Sequence, residues 1–256
     1  MPTISFESYL LEAYVEASIA SIGRLSSLVN PSEASSDPLL EGSRPELKAL
    51  IYVSMHAAVE GALKLACRLV GEAFVSIHPP CDKEPTTAFY WLAGAAQYAQ
   101  ALRQSTNNQN LEFNSASLFL NHLDDTELRV LVEDSLTTST TQSSLWSAVK
   151  DQRSRDYDPG FSGFFRYSTL EAYLKFLGMS LGNLERNAQL VNFEQEWESL
   201  RAVRNSVAHG RADLRQLGRD ISDSELKKHL EIWEVFIKAF KDELVVKAVK
   251  LPYYYR

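Results

Sequence analysis

In the stretch RAVRNSVAHG, Arg201 to Gly210, an Arg-Asn pair (Arg204, Asn205) stands just ahead of His209 and Gly210, in a chain of 256 residues with only five His. Arg presents a fixed planar fork of donors to phosphate oxygens, and a His titrating near neutrality gives or takes a proton. Together they suit phosphodiester chemistry. Cutting RNA without a metal needs a base for the 2'-hydroxyl, an acid for the leaving 5'-oxygen, and positive charge against the five-coordinate phosphate. One motif supplies one His, and a two-fold dimer would bring two copies into one cleft.

The element that must position these groups is a helix. Leu200, Val203 and Val207 share one face, which must be the buried one. With Leu200 at zero and about 100° per residue, Arg204 falls at about 40°, Arg201 at about 100°, Asn205 at about 140° and His209 at about 180°. The polar groups form one arc beginning at the edge of the buried stripe. Gly210 supplies a left-handed helix end, so His209 sits in the last turn, where the macrodipole favours the imidazolium. The same dipole explains Arg and His at a helix end with no chemistry at all.

Elsewhere the periodicity predicts an all-α chain. Ser5 to Val29 reads as a long amphipathic helix, 30–44 as a loop, and Pro45 to about Ile77 as a helix apolar on both faces and therefore central. Its stripe is expected to be Leu47, Leu50, Ile51, Ala58, Ala62, Leu65 and Leu69. Helical stretches are expected over Ala88 to Arg103 and within Leu118 to Leu136, followed by a Ser/Thr run at 137–144. Ser168 with Glu171 reads as a capping box opening a helix that ends near 177–182. A second box, Ser222 with Glu225, flanked by the staple pair Ile221 and Leu226, opens a last helix carrying Leu226, Leu230, Trp233, Ile237 and Leu244 inward. We expect one domain over 1–256, a helical bundle with an insertion at about 78–166.

Composition narrows the function classes. The 45% hydrophobic content fits a folded globular chain. No apolar run reaches the roughly 18 residues of a bilayer span, and the N-terminus lacks signal-peptide features, so a cytoplasmic protein is expected. Cys67 and Cys81 suggest neither a disulfide framework nor zinc. A net charge of -7 argues against duplex DNA as partner. Locally, however, Arg201, Arg204, Arg211, Arg215 and Arg219 fall in a segment whose only acids are Asp213 and Asp220.

The sequence Arg204-Asn205-x-x-x-His209-Gly210 resembles the R-x4-6-H motif of HEPN domains. The helix from Tyr167 to Gly178 with its FLG ending, and Val59-Glu60-Gly61 on the central helix, resemble elements of the larger MAE-type HEPN-like nucleases. The resemblance implies an all-α HEPN-like bundle, a homodimer, and a metal-independent endoribonuclease with no cofactor. Such proteins act as toxins or anti-phage effectors, so an antitoxin or defence-system partner is implied as well. On that basis His209 is the acid/base, Arg204 the phosphate stabiliser, Asn205 an orienting partner and Glu60 a carboxylate facing the Arg and His. Arg201 and Arg211 are secondary substrate contacts. In the subgroup controlled by nucleotide transfer a Tyr closely follows the His; here Gly210-Arg211-Ala212-Asp213 follows, a departure from that pattern. Glu60 fits a buried structural carboxylate as well as a site residue, and Arg201 fits a solvated flank. The rival reading is a non-catalytic HEPN-type interaction module with the arc as a dimer seam.

His56, one turn before Glu60, reads as a core or interface His, His78 as loop, His122 as helix surface and His229 as solvated. The basic-aromatic segment from Lys150 to Tyr167 and the tail Tyr253-Tyr254-Tyr255-Arg256 fit either RNA contact or docking against protein.

Overall fold

A computed structural model describes residues 8–29, 38–76, 124, 126–127, 129–130, 166–208 and 213–249. Most of the described residues are helical, with no strand among them: α1 (Ser8–Val29), α2 (Pro38–Ser76), α3 (Tyr167–Phe176), α4 (Leu181–Asn187), α5 (Phe193–Ala208), α6 (Leu214–Asp220) and α7 (Asp223–Val249). The all-α expectation holds. The helix expected at 88–103, the Ser/Thr run, His78, Cys81, His122, His209, Gly210, Arg211, nearly all of the 150–167 segment and the tyrosine tail lie outside the described residues.

The chain divides into two compact units. One, called here the site unit, holds Tyr9–Ala62 and Gly182–Asp242; the other holds Met1–Ser8, Leu63–Leu181 and Glu243–Arg256.

In the site unit, α1 buries Leu11, Val15, Ile22 and Val29, spaced by four and seven along one face. The helix α2 begins at Pro38, so 38–44, expected to be loop, is helical and Pro45 lies inside the helix. Proline withdraws one N–H from the ladder, and tertiary contacts hold the turn regardless. Arg44 Nε donates to Val29 O at 2.6 Å, Arg44 and Lys48 pair with Asp223 at 2.8 and 2.6 Å, and Lys48 reaches Ile221 O. The buried arc of α2 runs through Ile51, Tyr52, Met55, Ala58, Val59 and Ala62. Leu50, assigned to the inward stripe by sequence, lies on the far side from Met55 and is 42% exposed.

The helix α7 runs beside α2 with contacts that climb in step: Asp223 with Lys48, His229 with Tyr52, and Trp233 Nε1 with Met55 O. Its start follows the expected box, since Glu225 N donates to Ser222 Oγ at 3.1 Å and both staple residues are buried. Against α7, α5 packs Phe193 and Trp197 on Phe236, with ring centroids 5.0 and 5.5 Å apart. The short α6 is capped by Asp213, which accepts from Arg215 N and Gln216 N. Gly218 of α6 lies directly on the Pro45 carbonyl, so close that a Cβ would stand 1.8 Å from its oxygen.

In the other unit, Leu63, Ala66, Leu69, Leu170, Tyr173 and Leu174 are buried. The backbone opens α3 at Tyr167, Leu170 N donating to Arg166 O, so Ser168 lies in the first turn and not at the cap. The helix ends as the FLG stretch suggests. Gly178 has φ 71° and Met179 N closes back on Leu174 O at 2.7 Å, a left-handed terminus that favours glycine. A box not singled out by sequence caps the helical residues 126–127 and 129–130: Glu127 N donates to Asp124 Oδ1, and Asp124 N to Glu127 Oε2.

Within α2, Gly42–Ala66 is long and apolar enough on average to cross a bilayer, although no unbroken apolar run is. It is 56% buried inside the protein, the pattern of a core helix.

Candidate active site

Of the face expected to be buried on α5, Leu200 is buried, whereas Val203 and Val207 are half-buried, as are Arg201, Arg204 and Asn205. The described part of the helix ends at Ala208. His209, the expected acid/base, and Arg211 therefore lie outside the described residues.

On α2, His56 and Glu60 stand one turn apart, the imidazole Nδ1 3.9 Å from Glu60 Oε2. His56 is 2% exposed, a core histidine. Burial holds its pKa down at about 4, and the cations of Arg204 and then Arg201 push in the same direction. Arg204 and Arg201 of α5 thus lie within electrostatic reach of His56 on α2. The imidazole is therefore neutral at physiological pH.

The arginines have local partners. Arg201 pairs with Glu198 at 2.6 Å, one turn back, and Arg204 Nη1 donates to Asn205 Oδ1 at 3.1 Å. Farther along, Arg215 pairs with Glu46 at 2.9 Å and donates to Gly42 O. The positive charge that the sequence concentrates in 201–219 is thus partly claimed inside the site unit.

Tyr14 of α1 covers the next residue of α2. A Cβ on Gly61 would stand 1.9 Å from its Oη, so the absence of a side chain at Gly61 lets the phenol lie over the Glu60 turn. Burial raises the Tyr14 pKa, a hydrogen bond with Ser18 opposes this, and the Glu60 carboxylate adds to the rise. Of the expected residues, Arg201, Arg204, Asn205 and Glu60 fall in one neighbourhood. His56 and Tyr14 belong to it too. The i,i+4 pairing of His56 with Glu60 was the sequence signal for the first; for Tyr14 there was none.

A second polar group lies in the site unit. Tyr52 Oη is 2.7 Å from His229 Nδ1, and His229 Nε2 is 3.1 Å from Glu196 Oε2. His229 is 3% exposed, which corrects its reading as solvated. Glu196 also binds Lys228, whose hydrogen bond and charge outweigh burial and hold the Glu196 pKa below the usual carboxylate range. A cleft of about 370 Å³ opens beside Glu196, Lys228 and His229. Among the described residues, no group of three or more His, Cys, Asp or Glu could hold a metal ion.

Compared with known proteins, the chain matches no family model, no curated protein and no solved structure.

Proposed function

We propose that the protein is a metal-independent endoribonuclease of HEPN type, acting as a homodimer in a toxin or anti-phage role. The observation that carries this reading is that Arg204 and Arg201 of α5 act electrostatically on His56, which stands 3.9 Å from Glu60 on α2. It supports the expected pairing of a phosphate-binding guanidinium with a carboxylate-bearing helix. Arg204 binds a non-bridging phosphate oxygen and stabilises the charge that grows in the transition state. Asn205 orients that guanidinium through its amide oxygen. One His209 takes the 2'-hydroxyl proton as the 2'-oxygen bonds to phosphorus. The other gives its proton to the 5'-oxygen as the P–O5' bond breaks. The products are a 2',3'-cyclic phosphate and a 5'-hydroxyl.

The test is digestion of an end-labelled single-stranded oligoribonucleotide, with a 2'-deoxy copy as control. Wild type is expected to cut the RNA and not the deoxy copy, with His209→Ala and Arg204→Ala each losing at least about a hundredfold in rate. Variants that cut as fast as wild type would remove the assignment.

A non-catalytic interaction module is the second reading, favoured by the ion pairs that already engage Arg201 and Arg215. It predicts dimerisation lost in Arg204→Ala and no cleavage by wild type.

A further inference from the structure

The buried chain Tyr52–His229–Glu196 ties three helices of the site unit, α2, α7 and α5, through two hydrogen bonds that share one imidazole. Neutral imidazole fits both partners at once: the phenol donates to Nδ1, and Nε2–H donates to the carboxylate. Tyr52 is fully buried and His229 nearly so. No substrate reaches the buried end of the chain.

Its place along the helices is what matters. Tyr52 precedes His56 on α2 by one turn and Glu60 by two, and Glu196 precedes Arg201 and Arg204 on α5 by five and eight residues. At about 1.5 Å per residue, Arg201 and Arg204 lie about 7.5 and about 12 Å along α5 from the anchor. Beside this chain α5 packs Phe193, stacked, and Trp197, tilted, against Phe236. Apolar packing is not directional and tolerates a small roll of the helix. A hydrogen bond weakens steeply off its axis and does not.

We infer that Tyr52, His229 and Glu196 are positioning residues: they fix the rotation of α5 so that Arg204 and Arg201 face the His56/Glu60 turn. The functional weight of this device rests on the ribonuclease reading; its geometric content stands apart from it. A roll of 30° moves a guanidinium about 6 Å from the helix axis by about 3 Å, beyond the tolerance of a phosphate contact.

The pKa of His56 responds to the register, because Arg204 and Arg201 add to the depression that burial causes. It is followed by NMR titration of the ring proton, assigned by its absence in His56→Gln. Tyr52→Phe and Glu196→Ala are expected to raise the His56 pKa above about 4, burial keeping it below the ordinary value. Glu196→Gln, which keeps an acceptor oxygen for His229, is expected to leave it in place. Ile22→Ala, which opens a cavity in the α1 face, destabilises the fold without moving it. An unchanged His56 pKa in folded Tyr52→Phe and Glu196→Ala overturns the proposal, as does an equal shift in Ile22→Ala. In the RNA assay, the same two variants are expected to lose about ten- to a hundredfold in kcat with KM little changed. Wild type that cuts no RNA removes the ribonuclease reading, while the titration still decides whether the chain sets the register.

Discussion

Replacing Gly218 by alanine should destabilise the protein, against the ordinary preference of helices for alanine. Gly218 is buried in α6. An added Cβ would lie 1.8, 2.3 and 2.7 Å from the oxygen, carbon and Cα of Pro45, where ordinary contact begins at 3.4 Å. To accept it, α6 must withdraw by the difference, about 1.6 Å. All three colliding atoms are backbone, so no rotamer change relieves them. Withdrawal also stretches Arg215 from Glu46 and Gly42 O, now at 2.9 and 2.7 Å. Forcing a group into a packed site costs about 1–3 kcal/mol, here at the upper end, and the helix propensity of alanine returns about 1 kcal/mol. The net expectation is a loss of about 2 kcal/mol. Gly23, exposed in the middle of α1 with nothing within 4 Å of a Cβ, is the control. Gly23→Ala should gain up to about 1 kcal/mol by the same propensity. Urea unfolding followed by circular dichroism measures both, with an unchanged m-value as the check that the transition is comparable. Gly218→Ala at or above wild-type stability would refute the close seating of α6 on α2.

Two further outcomes follow from the site unit. A buried His56 held neutral makes the native state bind fewer protons than the unfolded chain between the ordinary value of 6.5 and about 4. Stability contributed by this residue is therefore complete above pH 6.5 and declines as the pH falls towards 4, by about 3 kcal/mol at about 1.4 kcal/mol per pH unit. His56→Gln should flatten that slope, and an identical slope in unfolding measured from pH 7 to 4 would contradict the burial argument. Ser222→Ala removes the acceptor of Glu225 N at the start of α7. It should cost about 1 kcal/mol in the same unfolding assay, with no effect on the His56 titration.

What was legible in the sequence was carried by local physics. Ser222 with Glu225 marked the start of α7 because a hydroxyl three residues ahead of a free N–H is a local event. The wheel placed Leu200 inward for the same reason, although Val203 and Val207, expected beside it, are half-buried. The misses were decided by distant residues. His229 sits among Lys227, Lys228 and Glu231 and reads as solvated. Its burial is set by Tyr52, 177 residues away, and Glu196, 33 residues away. Pro38 to Arg44 reads as loop because Pro45 follows, yet Asp223 and Val29 O hold Arg44 and keep that turn helical. The short α6 sets only Leu214, Leu217 and the capping Ile221 on one face, too few to mark a helix from periodicity. Its place comes from a glycine lying on a carbonyl, which periodicity cannot register.

The two described histidines also constrain the chemistry. General acid–base catalysis near neutrality needs groups that exchange protons there and reach the substrate. His56 is 2% exposed and stays neutral down to about pH 4. His229 has one ring nitrogen on Tyr52 and the other on Glu196. Neither is placed to shuttle a proton to a phosphodiester. On the ribonuclease reading neither described histidine serves, and His209, the expected acid/base, is present once per chain, so a proposed dimer would supply the second imidazole. Mixing His209→Ala with Arg204→Ala subunits would leave each mixed cleft one imidazole short, so cleavage should remain low in every ratio.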